Sequence, residues 1–178
     1  SFLSDYTEKN SNLIPKIDIP CFAWNSQAEQ GLLFFKAKSL DTNDFYDLIE
    51  SQNPENQGSV ILFFDFESGK VFKPFAKKRN VIYSNPVYAE GFYYFLQGDY
   101  DEKKISLYHY IPGKLLEKET ELSTEEVSLY NLCIIGNPVH IISQEDTFVC
   151  YYPEKISFPI TGHESALFIE DEKIYFES

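Results

Sequence analysis

Short apolar runs rich in Phe and Tyr recur along the chain, separated by short polar turns. That pattern predicts half-buried strands joined by tight turns. The stretch 83–116, "YSNPVYAEGFYYFLQGDYDEKKISLYHYIPGKLL", is the densest example. Its Tyr and Phe residues suit a pleated surface better than a helix. Only residues 40–59, "LDTNDFYDLIESQNPENQGS", break the rhythm. Phe45, Leu48 and Ile49 fall at i, i+3 and i+4, with Asp44, Asp47 and Glu50 on another face and Thr42 or Asn43 in place to cap. This spacing predicts a short amphipathic helix followed by a loop, inserted between two strands.

The chain also aligns on itself. Residues 81–99, "VIYSNPVYAEGFYYFLQGD", match 128–146, "SLYNLCIIGNPVHIISQED", without gaps. Tyr83 then falls on Tyr130, Gln97 on Gln144 and Asp99 on Asp146. A second hairpin follows each segment, so each unit reads as four consecutive strands. A similar unit lies upstream, starting at "CFAWNSQAEQG" and ending at "KVFKPFAKK". Residues 2–19 have the pattern of a third and fourth strand, and 164–178 that of a first and second.

Four short strands per unit of roughly 40 to 45 residues, with complementary halves at the two ends, resemble the β-propeller superfamily. The resemblance implies an all-β ring of about four blades, similar in size alone to the hemopexin-type domain and closed by pairing of 2–19 with 164–178. It identifies no particular family, because no W-D dipeptide, kelch double glycine or Asp-box is present. The strand spacing also fits a β-sandwich, or a fragment of a larger propeller.

Charge and composition narrow the function. With 15 Lys and Arg against 28 Asp and Glu, the net charge of −13 opposes a phosphate backbone, so nucleic acid is not expected as a partner. No apolar run reaches the ~20 residues of a membrane span. Cys21, Cys133 and Cys150 show no metal or disulfide spacing and read as small buried side chains. The chain contains no Met, even at position 1, which predicts a processed or engineered start. Either a cytoplasmic protein or an exported one lacking its leader fits these features.

In a propeller, the connections from the fourth strand to the next first strand, and from second to third, share a face. Here that face collects 40–59, 77–80, 98–104, 123–126, 144–146 and 161–165, the long polar connections where binding residues tend to lie. The residues expected to meet a protein, peptide or extended carbohydrate partner are Phe45, Leu48, Arg79, Asp99, Asp101, Asp146 and His163. Phe45 and Leu48 would either anchor a partner or tuck onto the scaffold. Trp24, Asn25, Asn85 and Asn131, on first strands, are candidates to line a central channel.

A competing expectation is a small carbohydrate-active or metal-assisted enzyme using Asp99, Asp146, His163 and Glu164. In five-bladed propeller glycosidases the acids lie on inner strands, whereas the first strands here carry no carboxylate before the turn. Solvated loop acids are the simpler reading. Asp99-x-Asp101 and the series Asp41, Asp44, Asp47 offer oxygen ligands of the kind calcium takes, but no complete calcium loop is present and no cofactor is expected. His109 and His140 alternate within strands and read as packing residues.

Overall fold

The computed structural model describes residues 32–38, 45, 58–65, 68–135, 138–161, 164–170 and 173–177. Their regular elements are all strands, arranged as four antiparallel sheets in chain order, none closed on itself. The first sheet contains β1 (Leu32–Lys38), β2 (Ser59–Asp65) and β3 (Val71–Phe72). The second contains β4 (Val81–Tyr83), β6 (Phe92–Asp99), β7 (Lys104–Ile111) and β8 (Leu115–Ser123), with β5 (Val87–Ala89) also on β6. The third runs β9 (Cys133–Ile135), β10 (His140–Gln144), β11 (Thr147–Tyr152) and β12 (Ile156–Pro159). The fourth pairs β13 (Ser165–Glu170) with β14 (Lys173–Glu177).

The internal alignment is repeated in the hydrogen-bond register. Val87 pairs with Tyr94 and Ile134 with Ile141, and these are equivalent positions in the two units. Tyr88 with Tyr93 and Ile135 with His140 form a second equivalent set. Each full unit is thus a meander of consecutive antiparallel strands. The sequence read 82–88 as one first strand, yet the structure divides it into β4 and β5 around Ser84, Asn85 and Pro86. Proline has no N–H to give the ladder, so the chain leaves β6 and rejoins it. The turn back into β6 uses Glu90 and Gly91 at φ 52° and 86°, the pair of positive angles that a two-residue hairpin twisting with its strands requires.

Period-two alternation sends successive side chains of one strand into different cores. From β6, Tyr93 and Phe95 pack with Ile61 and Phe63 of the first sheet. Tyr94 and Leu96 pack the other way, with Leu132, Ile134 and Ile141 of the third. From β9 and β10, Ile135 and Ile142 in turn meet Ala166 and Ile169 of the fourth. Consecutive sheets are therefore stacked face to face, and the inner strands β6 and β10 are covered on both faces. A two-sheet sandwich covers only one face of each sheet.

The expected helix lies outside the described residues apart from Phe45, which is buried at 4% exposure in the core between the second and third sheets. Its ring lies where a side chain at Gly98 would stand, 2.8 Å from an added Cβ, and its carbonyl accepts a hydrogen bond from the Tyr100 hydroxyl. Phe45 is thus tucked onto the scaffold. The expected pairing of 2–19 with 164–178 involves residues outside those described.

On the outer strands, Glu121 lies between Lys104 at 2.8 Å and Lys118 at 2.5 Å, and their hydrogen bonds hold its carboxyl down at about 2. A carboxylate with a depressed folded pKa stabilises the fold above its unfolded value and loses that contribution as pH falls through its folded one. All three side chains are solvent-accessible, so the contribution is below about 1 kcal/mol. Glu121→Gln is expected to lower the urea midpoint slightly near neutrality, and the gap from wild type should close between the usual 4.5 and about 2. A gap that persists unchanged at the acid end would show that the ion pairs do not cause it.

Candidate functional site

The segments that open the repeating units meet around one cavity of about 510 Å³. Ser84, Asn85 and Val87 come from the interrupted first strand of the second sheet, and Asn131 to Ile134 from β9 and the turn before it. Gln144 ends β10, Ser165 starts β13, and Phe45 reaches in from the insertion. Contact of β9 with both β6 and β13 brings these strand ends together.

Local chemistry fixes each of these groups. Pro86 frees Ser84 and Asn85 from the ladder, and Ser84 repairs the gap: its N–H donates to the Leu96 carbonyl at 2.9 Å and its Oγ accepts the Leu96 N–H at 2.8 Å. Asn131 adopts φ 49°, a left-handed angle that Asn tolerates better than most residues, and its Nδ2 donates to the Gln144 carbonyl at 3.1 Å. The Gln144 Oε1 accepts the Ala166 N–H at 2.8 Å, tying the third sheet to the fourth and holding the Gln144 side chain at the cavity wall.

A smaller hollow of about 240 Å³ continues the cavity, sharing Asn131, Gln144 and Ser165 and adding Tyr130, Glu145, Asp146 and Glu164. Tyr130 is 42% exposed there. Its equivalent in the preceding unit, Tyr83, is 1% exposed and accepts a hydrogen bond from Gln97 Nε2 at 3.0 Å; burial pushes its hydroxyl up to about 12. The same Tyr position is thus core in one unit and cavity wall in the next.

Of the expected catalytic groups, the structure brings Asp146 and Glu164 to one hollow. Asp99 lines neither space: it accepts from Lys78 Nζ at 2.6 Å and from the Glu102 N–H at 3.1 Å. The hydrogen bond to Asp99 raises the Lys78 pKa. Glu164 accepts the Thr161 N–H at 2.7 Å and the Thr161 hydroxyl at 2.9 Å, and these bonds lower its pKa. A general acid needs the opposite shift. His163, like Leu48, Trp24 and Asn25, lies outside the described residues.

Asn85 and Asn131 both line the larger cavity. Arg79 is exposed in the turn before β4, and Asp101 accepts from Asn80 Nδ2 at 2.8 Å. His109 packs edge-on against Phe92, ring centres 5.0 Å apart, with Glu117 and Glu119 at 3.1 and 2.8 Å from its two nitrogens. Among the described residues no group of three or more His, Cys, Asp or Glu is placed to hold a metal ion, and no helix is long and apolar enough to cross a membrane. Ser84, Tyr130 and Cys133 were not expected at the site, and Gln144 and Ser165, though in connections of the expected binding face, were not singled out. The repeated Tyr and Gln in the internal alignment were the available signal for two of them.

Comparison with known protein families, curated proteins and solved structures gives no match to this chain.

Proposed function

We propose that the chain is a non-enzymatic binding scaffold of the propeller type, with its ligand held where β4, β5, β9 and β13 converge. The cavity carries this reading. Its volume falls within the roughly 300 to 1,000 Å³ common for ligand sites, and it is walled by rigid strand ends with amide and hydroxyl groups set among apolar side chains. Face-to-face stacking of four consecutive sheets supports the propeller. So does the fourth sheet, in which the described residues form two strands; residues 2–19 are proposed to supply the remaining two beside β14. The pinned Asp99 and the ionised Glu164 weigh against acid catalysis.

The reading is tested by screening a library of small neutral and charged fragments by two-dimensional amide NMR. Hits are expected to shift the Asn85, Asn131, Leu132, Gln144 and Ser165 resonances together. Hits scattered over the surface, or none, would sink the proposal. Hydrolysis of nitrophenyl glycosides that disappears in Asp146→Asn would replace it with the enzymatic reading.

A further inference from the structure

We propose that the cavity and its rim form one trough for a neutral saccharide. The inference rests on the binding-scaffold reading above and assigns its ligand a chemical class. Three observations select that class. First, among the described residues no Lys, Arg or His lines either space, while Glu145, Asp146 and Glu164 line the smaller one and repel a phosphate or carboxylate ligand. Second, the described lining of the larger cavity contains no carboxylate. Its polar walls are amides and hydroxyls, which both donate and accept, as sugar hydroxyls also do. A cationic ligand would find its charge partners only at the mouth. Third, Tyr130 presents a 42% exposed ring beside Asn131 and Gln144 in the rim hollow. An aromatic face next to hydrogen-bonding groups suits a pyranose, which is apolar on its C–H face and polar around its edge.

The roles follow from position. Tyr130 is the stacking platform. Gln144 Nε2 and the Asn85 amide donate to ring hydroxyls, and Asp146 with Glu164 accepts from the hydroxyls of a second residue at the mouth. The bonds from Thr161 fix Glu164 in its ionised, acceptor-only form.

The test is saturation-transfer NMR on the whole chain with maltose, cellobiose, diacetylchitobiose and mannobiose, each at about 10 mM to reach millimolar dissociation constants. At least one disaccharide is expected to receive saturation. Its affinity should fall about tenfold in Tyr130→Ala, and in Asn85→Ala, an exposed loop substitution that leaves the thermal midpoint unchanged. Affinity equal to wild type in both variants would overturn the site assignment. If no saccharide binds but fragments or spermidine shift the cavity resonances, the saccharide class is wrong and the scaffold reading stands. If neither saccharide nor fragment binds there, both fall.

Discussion

Phe63→Ala is expected to remove about 3 to 5 kcal/mol of stability, read from the urea midpoint followed by circular dichroism. The ring is fully buried, and its neighbours belong to a different sheet from its own: Tyr110 at 4.8 Å, Tyr93 at 5.1 Å and Phe95 at 6.0 Å between ring centres. Truncation would therefore open a void between two hydrogen-bonded layers that cannot close without breaking their ladders. The loss is a large share of the 5 to 15 kcal/mol that holds an ordinary domain together. Phe63→Leu, which refills much of the volume, should lose distinctly less. A loss below about 1 kcal/mol for the Ala variant would mean that the first sheet is not docked on the second.

An effect of comparable size is expected at Gly58, for a backbone reason. A Cβ there would stand 2.0 Å from the Lys78 carbonyl oxygen and 2.8 Å from that of Val81, and the residue has φ +74°. The left-handed angle alone costs an L-residue about 1 to 2 kcal/mol. The clash is with backbone, so no rotamer relieves it, and the turn preceding β4 must move away from β2. Gly58→Ala should therefore lose at least about 3 kcal/mol, the upper end of what one strained residue stores. Gly91→Ala is the control, because it shares a positive φ of +86° but has nothing within 4 Å of the added carbon. It should lose only about 1 kcal/mol. Equal urea midpoints for the two variants would show that the close approach at Gly58 does not exist.

The strand positions and pairing of 81–123 and 128–160 were legible in the sequence because the inner strands β6 and β10 are buried on both faces. Every residue of "FYYFL" then bears on one core or another, and a slip by one position would exchange the cores. The break at Ser84 to Pro86 was legible in principle from the proline, but the apolar alternation runs across it and hides it. The site was only half legible. Asn85 and Asn131 stood out as polar residues on first strands, whereas Gln144 and Ser165 fell in connections of the expected binding face without being singled out in them. Their role depends on the neighbouring sheet: Gln144 lines the cavity because Ala166 holds its Oε1 there, and no spacing within one unit encodes that contact. Asp99 failed in the converse way. Its alignment with Asp146 suggested a shared role, but Lys78 faces only the first of the pair.

Biosynthesis meets the two-sided burial of β6 as a problem of timing. Tyr93 and Phe95 find their cover in strands already made, but Tyr94 and Leu96 are covered by β9 and β10, which leave the ribosome only after two further hairpin strands. Through that interval the nascent chain carries an uncovered aromatic face flanked by complete hydrogen-bonded strands, the kind of surface on which intermediates aggregate. Slowed translation just after β8 would lengthen that exposure, and rapid synthesis through residue 144 would shorten it.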